Sequence, residues 1–209
     1  MLPSIQEAEE ALDIAGKMNP GPWTKHSKNV GIAAKAIAEK CSGMDSSKAY
    51  IVGLLHDIGR RVGIVSTKHV IAGYEYAMEK GWDEVARICM THSYPIKDES
   101  TEIGRPDITN EERGQIRFFL EQVEYDSYDK LIILCDSLAT ALGCCLLEKR
   151  FIDTTRRYGV FPFTIERWNA TFAIKAEFEA IMGCSIYEVL PNVKETTFLA
   201  EEIWTPTFQ

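Results

Sequence analysis

The sequence predicts an all-α fold on the basis of three observations. Apolar residues recur at helical spacing along most of the 209-residue chain, which is typical of helices that bury one face. These segments begin at capping residues and stop at glycine or proline. The alternating pattern of strands and the Asn-Gly or Asp-Gly signal of tight hairpins are absent from the sequence. We therefore expect one helical bundle formed by residues 1–209 as a single domain.

The first half of the chain is predicted to contain five helices. The first begins at the capping box Ser4-x-x-Glu7, in which each residue satisfies a backbone amide of the other. The second has an apolar inner stripe that comprises Val30, Ala33, Ala34, Ile37 and Ala38. The five helices are expected at about 4–17, 23–41, 46–57, 68–80 and 83–92. Asp45 or Ser46 is expected to cap the third helix and Asp83 the fifth, and residues 59–66 are expected to connect the third helix to the fourth.

The second half is predicted to begin with a polar loop over 98–107 and a second capping box, Thr109-x-x-Glu112. The acidic run from Glu121 to Asp129 is interpreted as an exposed turn. Apolar residues then continue from about Ser127 to Lys149, which favours one long helix. The last three helices are expected at about 165–182, 186–190 and 194–203, the first of them capped by Thr164 and ended by Gly183.

Five aromatic residues in the last third of the chain are predicted to pack in the core rather than to stack on a nucleobase. Three of them share a helical spacing, which is typical of a buried stripe. The five are Phe161, Phe163, Trp168, Phe172 and Phe178.

Composition and charge narrow the classes of partner. The formal net charge is -8, which argues against nucleic-acid polymers and anionic membranes as partners, because both attract basic surfaces. No apolar run approaches the ~20 residues that span a bilayer, and the N-terminal residues lack the basic and apolar regions of a secretory signal. Six cysteines show no C-x-x-C spacing. We therefore expect a cytoplasmic protein with reduced thiols and no zinc–thiolate site.

The residues that carry chemistry are four histidines and two aspartates. His56 and Asp57 stand side by side at the end of an apolar helix, where they are poor packing material but good metal ligands. His69 lies 12 residues before Gly81 and His92 lies 11 residues after it. In an antiparallel helix pair that turns at this glycine, both histidines come to about the same height, ~17 Å from the turn.

Two further residues are candidates for the same site. His26 and His56 lie 16 and 11 residues from the turn that joins their helices, a difference of ~7.5 Å that helix tilt can absorb. Asp136 lies inside an apolar helix, where a carboxylate costs several kcal/mol unless it is paired or bound to a metal. An ion pair with an arginine, or a carboxylate that faces water from the helix surface, are the alternatives for Asp136.

The ordered pattern of His26, then Leu55-His56-Asp57-Ile58-Gly59, then Asp136 resembles the HD-domain superfamily of metal-dependent phosphohydrolases. The resemblance covers about residues 22–140 and leaves 150–209 as a helical extension. It implies that one metal is held by His26, His56, Asp57 and Asp136, and that His69 and His92 match the extra histidines of members with two metals. The sequence departs from two subfamilies of this superfamily. The Gly-Tyr-Pro signature of cyclic-di-GMP phosphodiesterases is missing, and the interval between Asp57 and His69 is short for the diadenosine-tetraphosphate hydrolases.

The function that follows is hydrolysis of a phosphate ester or anhydride on a small, nucleotide-like molecule by metal-activated water. One or two divalent metals are expected as cofactors, drawn from iron, manganese, nickel, cobalt and zinc. Asp57 could also accept the proton of water, and Arg60 could neutralise the phosphate, with Arg61 and Lys68 as further substrate contacts. The expected partner is a small phosphorylated substrate, and a homodimer is left open.

Two other functions remain open at this stage. The same six ligands also resemble the mixed-valent di-iron oxygenases of the superfamily, which cleave inositol or hydroxy-phosphonates with oxygen. A metal- or nucleotide-binding sensor without catalytic activity is the third interpretation. Iron content together with oxygen-dependent turnover would identify the oxygenase, and tight nucleotide binding without turnover would identify the sensor.

Overall fold

The structure is a computed structural model, and it describes residues 1–198. Within them the chain is all-α, with eleven helices and one two-stranded sheet. The predicted end of the last helix, residues 199–203, lies outside the described residues. The helices are α1 (Ile5–Met18), α2 (Trp23–Ala38), α3 (Ser46–Leu55), α4 (Lys68–Glu79), α5 (Asp83–Thr91), α6 (Asn110–Gln122), α7 (Ser127–Leu138), α8 (Leu147–Tyr158), α9 (Thr164–Met182), α10 (Ile186–Val189) and α11 (Val193–Phe198).

Several helix ends form where local chemistry predicts them. Both capping boxes are present, at the starts of α1 and α6. Asp45 caps α3 by accepting hydrogen bonds from the amides of Ser47 and Lys48. Gly183 ends α9 in the left-handed conformation, which glycine adopts without the steric cost of a side chain.

Two predicted caps are wrong. Asp83 is the first residue of α5, and Trp82 holds the cap position without a side-chain hydrogen bond. The Asp83 carboxylate pairs instead with the N-terminal ammonium of Met1. Thr164 is likewise the first residue of α9, and Phe163 holds the cap position. The hydroxyl of Thr164 accepts a hydrogen bond at 2.8 Å from the amide of Phe161 in the preceding loop.

The predicted long helix over 127–149 is also wrong. It is divided into α7 and α8 by an antiparallel hairpin of β1 (Ala139–Thr140) and β2 (Gly143–Cys144). The Thr140 hydroxyl donates to the carbonyl of Gly143 at 3.0 Å and accepts from the amide of Leu142 at 3.0 Å. Gly143 has a φ of 142°, which a residue with a side chain rarely adopts. Only Ala139 and Cys144 of the hairpin are buried, and Leu142 at its turn is exposed although it is apolar, so the apolar pattern could not reveal the break.

The close packing of α2 on α3 brings the first two histidines together. A Cβ atom on Gly53 would lie 3.0 Å from the Cα of Gly31, so the two helices touch backbone to backbone there. The predicted inner stripe of α2 is buried in full. This contact fixes how far His26 and His56 stand from each other.

The next two helices, α4 and α5, form the antiparallel pair that the sequence predicts. They turn at Gly81, which has a φ of 70°. The predicted connector over 59–66 contains a short 3-10 helix, Ile58–Val62, that packs against α4. The residues that follow α3 and those that begin α4 are therefore held against each other.

Most of the core is one apolar cluster to which the α-helices other than α6 contribute, and a smaller cluster lies between α4, α5 and α6. Trp168, Phe172 and Phe178 belong to the main cluster, as predicted, whereas Phe161 and Phe163 do not. Five of the six cysteines are buried, and none of the six forms a disulfide in the described structure. Among the described residues, no helix is both long enough and apolar enough to cross a bilayer.

Candidate metal centre

Six side chains from distant parts of the chain converge at one buried point. His56 and Asp57 follow the last turn of α3, and His92 follows the last residue of α5. The other three lie within helices. The six residues are His26 on α2, His56, Asp57, His69 on α4, His92 and Asp136 on α7.

One side of this cluster is formed by His26, His56 and Asp136. The Nε2 atom of His26 lies 2.9 Å from Oδ1 of Asp136. The Nε2 atom of His56 lies 3.8 Å from the same oxygen and 3.8 Å from Oδ2 of Asp57. Asp136 therefore faces two histidines. These histidines stand where the sequence had left open an arginine partner.

The other side is formed by His69 and His92. Their Nε2 atoms lie 3.1 Å apart. They stand 3.2 Å and 3.7 Å from Oδ1 of Asp57. The two oxygens of Asp57 thus face different pairs of groups, and the carboxylate is shared by two triads that could each hold a metal ion: His26, His56 and Asp57, and Asp57, His69 and His92.

Backbone carbonyls orient three of the four imidazoles. The Nδ1 atom of His56 lies 2.7 Å from the carbonyl of Gly53, and that of His92 lies 3.0 Å from the carbonyl of Ile88. His69 makes the same contact with Ser66. A carbonyl only accepts hydrogen bonds, so Nδ1 carries the proton in each ring and Nε2 directs a lone pair into the cluster.

The donor set fits divalent metal ions. The Nε2 atom of His56 is buried and has no hydrogen-bond partner within residues 1–198, and a buried polar atom without a partner is costly. The lone pairs of His69 and His92 face each other, which is repulsive unless a cation lies beside both. Two donors that share an ion at about 2.0–2.2 Å stand roughly 3–3.6 Å apart, and the contacts between Nε2 and oxygen or nitrogen here span 2.9–3.8 Å.

The electrostatics keep His56, His69 and Asp57 in the protonation states that bind metals. Burial lowers the pKa of His56 to about 4, against the opposing charge of Asp57. Burial, together with Arg60, lowers the pKa of His69 to about 3. Burial alone would raise the pKa of Asp57, but Arg60 and the neighbouring histidines hold it well below its usual range. The imidazoles of His56 and His69 are therefore neutral and the Asp57 carboxylate is ionised at neutral pH, whereas the hydrogen bond and charge of Asp57 outweigh burial and raise the pKa of His92.

The three predicted substrate contacts lie in different surroundings. Arg60 donates from Nε to Oδ2 of Asp57 at 2.5 Å and from Nη1 to the carbonyl of Val65 at 3.2 Å, so it stands at the cluster. Arg61 lies over the ring of Tyr76, 4.5 Å from its centroid. The ammonium of Lys68 pairs with Glu112. Only Arg60 among the three touches one of the six clustered residues.

Arg167 was missed by the sequence analysis. Its Nη1 donates to the carbonyl of Thr101 at 2.7 Å and its Nη2 donates to the carbonyl of Ser93 at 3.0 Å. It thereby ties the residue after His92 to the loop at 101. Burial lowers the pKa of Arg167, and the charges of Glu102 and Asp136 oppose that shift. Nothing in the sequence distinguishes Arg167, because the same helix carries other charged residues such as Glu166 and Lys175.

Comparison with protein families gives one match. The family described as the HD domain matches residues 23–141, more than half of the chain. Neither the curated proteins nor the solved structures gave a match to the chain. The matched segment contains all six clustered residues and ends before α8 and α9.

Proposed function

Because the chain belongs to the HD-domain family, we propose that it is a metal-dependent phosphohydrolase that cleaves a phosphate ester or anhydride of a small molecule. The observation that carries the proposal is that two triads, each of two histidines and one aspartate, share the carboxylate of Asp57. A single carboxylate shared by two such triads suits two metal ions, which clamp a phosphoryl group between them in dinuclear hydrolases. The proposed ligands are His26, His56, Asp57, His69, His92 and Asp136.

Divalent metals bound here would polarise the phosphoryl oxygens and lower the pKa of water from 15.7 toward about 7. Imidazole and carboxylate donors suit iron, manganese, nickel, cobalt or zinc. The chain supplies Nε2 donors on three rings whose Nδ1 atoms are already fixed by backbone carbonyls. This orientation is set by the fold, so the donors need little rearrangement when an ion enters.

We assign Asp57 a bridging role rather than the role of general base. Its Oδ2 accepts from Arg60 and its Oδ1 faces His69 and His92. Arg60 and these imidazoles hold its pKa well below the usual range. A carboxylate that is so reluctant to bind a proton is a weak proton acceptor at neutral pH, whereas its charge and two oriented oxygens suit it to join two cations.

Arg60 is proposed to contact the phosphate. Its Nε and Nη1 atoms are fixed by Asp57 and Val65, which leaves Nη2 of the planar guanidinium to meet an anionic oxygen. The side chain is 30% exposed, so a substrate can reach it. Arg61 and Lys68, engaged by Tyr76 and Glu112, are weaker candidates for the same role.

The test begins with metal analysis of protein purified without chelator. A screen of phosphomonoesters, phosphodiesters and nucleoside polyphosphates then follows, with each candidate metal added. We expect bound transition metal and turnover, and we expect both to be lost together in His56→Ala and Asp57→Ala. Asp13→Asn, an exposed carboxylate on α1, serves as the control and should retain both.

Three outcomes would overturn the proposal. Full turnover in Asp57→Ala would contradict the bridging role. Iron-dependent turnover that stops in anaerobic buffer would assign the chain to the oxygenases instead. Tight binding of metal and nucleotide without turnover of any substrate would favour a sensor.

A further inference from the structure

Ser93 places a hydroxyl group at the edge of the candidate metal centre. Its Oγ lies 3.2 Å from Nε2 of His92, within the 2.9–3.8 Å range of the contacts among the six clustered residues. In the neutral ring, which is the form that binds metals, Nδ1 of His92 carries the proton that faces the carbonyl of Ile88. Nε2 then accepts and the hydroxyl donates, so Ser93 holds the lone pair that a metal ion would take.

The Ser93 hydroxyl needs a new partner once that lone pair is taken. Within residues 1–198, Nε2 of His92 is the hydroxyl's only hydrogen-bond partner. A cation on Nε2 also repels the positive end of the O–H dipole, so the proton turns toward an anion that faces the cation. Ser93 is partly exposed whereas His92 is buried, and a ligand can therefore reach the hydroxyl from solvent.

The backbone around Ser93 is a turn that is held at several points. The amide of Tyr94 donates to the carbonyl of Thr91 at 3.0 Å, and the carbonyl of Tyr94 accepts from the hydroxyl of Tyr125 at 2.8 Å. The carbonyl of Ser93 itself accepts from Nη2 of Arg167 at 3.0 Å. The turn is thus fixed before any ligand binds, which lowers the entropic cost of a contact with the Ser93 hydroxyl.

Arg167 reaches this turn from outside the part of the chain that matches the HD domain. It lies on α9, whereas the match covers residues 23–141. Its Nη1 donates to the carbonyl of Thr101 at 2.7 Å, so one guanidinium joins the turn at Ser93 to the segment before α6. Hydrogen bonds from a charged, rigid and planar donor are stronger than neutral ones. The helical extension therefore contributes to the metal centre by holding Ser93.

We propose that the Ser93 hydroxyl donates a hydrogen bond to an oxygen of the substrate's phosphate, and that Arg167 is its positioning residue. This role rests on the phosphohydrolase function, since the phosphate is the anion that would face the metal ions. Arg60 donates to Oδ2 of Asp57, whereas Ser93 stands beside His92, which faces Oδ1. The two donors thus belong to different halves of the centre and suit an anion that offers several acceptor oxygens.

The binding experiment uses inorganic phosphate, so that it does not depend on turnover. Titration calorimetry measures the affinity for Mn²⁺ and then the affinity of the Mn²⁺-loaded protein for phosphate. Ser93→Ala should weaken phosphate binding by about tenfold or more, as expected for a lost hydrogen bond to a charged group. Its affinity for Mn²⁺ should not fall, because alanine leaves the lone pair of His92 free. Ser93→Thr restores a hydroxyl and should recover most of the phosphate affinity.

Two further variants test the positioning role of Arg167. Arg167→Lys keeps the positive charge but loses the planar fork that joins two carbonyls, so it should weaken phosphate binding. Adding Ser93→Ala to Arg167→Lys should cost little more, because both changes remove the same contact. Ser47→Ala changes an exposed serine in the first turn of α3 and should leave the affinities for Mn²⁺ and phosphate unchanged.

The outcomes distinguish the role of Ser93 from the function on which it rests. Unchanged phosphate affinity in Ser93→Ala would overturn this role even if the wild type hydrolyses phosphate esters. A loss of phosphate affinity alone supports it even if no ester is turned over. A parallel loss of Mn²⁺ affinity would make the hydroxyl a metal ligand and contradict the proposal. Losses that add in full in the double variant would show that Arg167 does not act through Ser93.

Discussion

At Gly59 the absence of a side chain determines how closely His69 approaches Asp57. A Cβ atom built on this glycine would lie 1.9 Å from the carbonyl oxygen of His69 and 2.5 Å from the amide nitrogen of Gly73. Both are backbone atoms of α4, so they cannot rotate away as a side chain could. The glycine that follows His56-Asp57 therefore acts through geometry, because it lets the second pair of histidines reach the shared carboxylate.

We predict that Gly59→Ala forces α4 away from the 3-10 helix. The free energy of unfolding should fall by at least about 1–3 kcal/mol, which is typical of overpacking. Metal binding at the His69 side should weaken more than at the His26 side, because α4 carries His69. Urea denaturation and metal titration measure the two effects.

The matched control for this change is Gly114→Ala. Gly114 lies in α6, and a methyl group on its Cα would meet no atom within 4 Å, so alanine fits. Alanine is the better helix former, and a gain of about 0.5–1 kcal/mol is expected. Wild-type stability and unchanged metal binding in Gly59→Ala would show that α4 does not need this close approach.

At the scale of elements, Arg87 on α5 ties that helix to α7. Its Nε lies 3.2 Å and 3.0 Å from the two oxygens of Asp129, a residue with no exposed surface. Asp129 also accepts from the hydroxyl of Thr91 at 2.8 Å and from the amide of Asp126 at 2.9 Å. His92 follows α5 and Asp136 lies on α7. The ion pair between Arg87 and Asp129 therefore fixes the relative positions of the two helices that supply these residues to the metal centre.

Arg87→Met should leave the Asp129 carboxylate buried without its counter-charge. Removing one partner of a buried ion pair typically costs about 3–5 kcal/mol, and we expect a loss toward the lower end because the Arg87 side chain is 33% exposed. Lys97→Met is the control, since its partner Glu124 is 95% exposed and such pairs contribute about 0–1 kcal/mol. Equal urea midpoints for the two variants would contradict the structural role of Arg87.

The elements that could be predicted are those that local chemistry determines. The capping boxes at Ser4 and Thr109 and the turn at Gly81 are visible in a few consecutive residues, and each forms as predicted. The nearly equal sequence distances of His69 and His92 from that turn are likewise local, and their Nε2 atoms lie 3.1 Å apart in the structure.

The features that could not be predicted depend on distant contacts. The hairpin at 139–144 interrupts an apolar run, and buried strands and buried helices have the same composition. Asp129 lies in an acidic run that favours an exposed turn, yet it is buried because Arg87 reaches it from another helix. The cavity that Thr67, Ile116 and Phe161 line combines separate segments of chain, and nothing within any one of them indicates the others.

At the scale of the whole molecule, the candidate metal centre joins five segments that span residues 26–136. Every one of its ligands is brought there by tertiary packing, so the unfolded chain has no equivalent site. A metal that binds only the folded state adds RT ln(1 + [M]/Kd) to the free energy of unfolding, about 2.7 kcal/mol at one hundred times Kd. The stability of the entire bundle should therefore report on occupancy of the centre.

We predict that adding Mn²⁺ or Zn²⁺ to chelator-treated protein raises its unfolding temperature by about 5–10 °C at one hundred times Kd, since about 1 kcal/mol corresponds to 2–4 °C for a chain of this size. Asp57→Asn should lose most of this shift, because both triads share that carboxylate. His69→Gln should lose only part, because the His26 and His56 side is intact, and Asp13→Asn should keep all of it. Differential scanning calorimetry makes the comparison at several metal concentrations. An equal shift in wild type and Asp57→Asn would mean that the stabilising ion binds elsewhere, and the shared carboxylate would then not be the residue that links metal binding to folding.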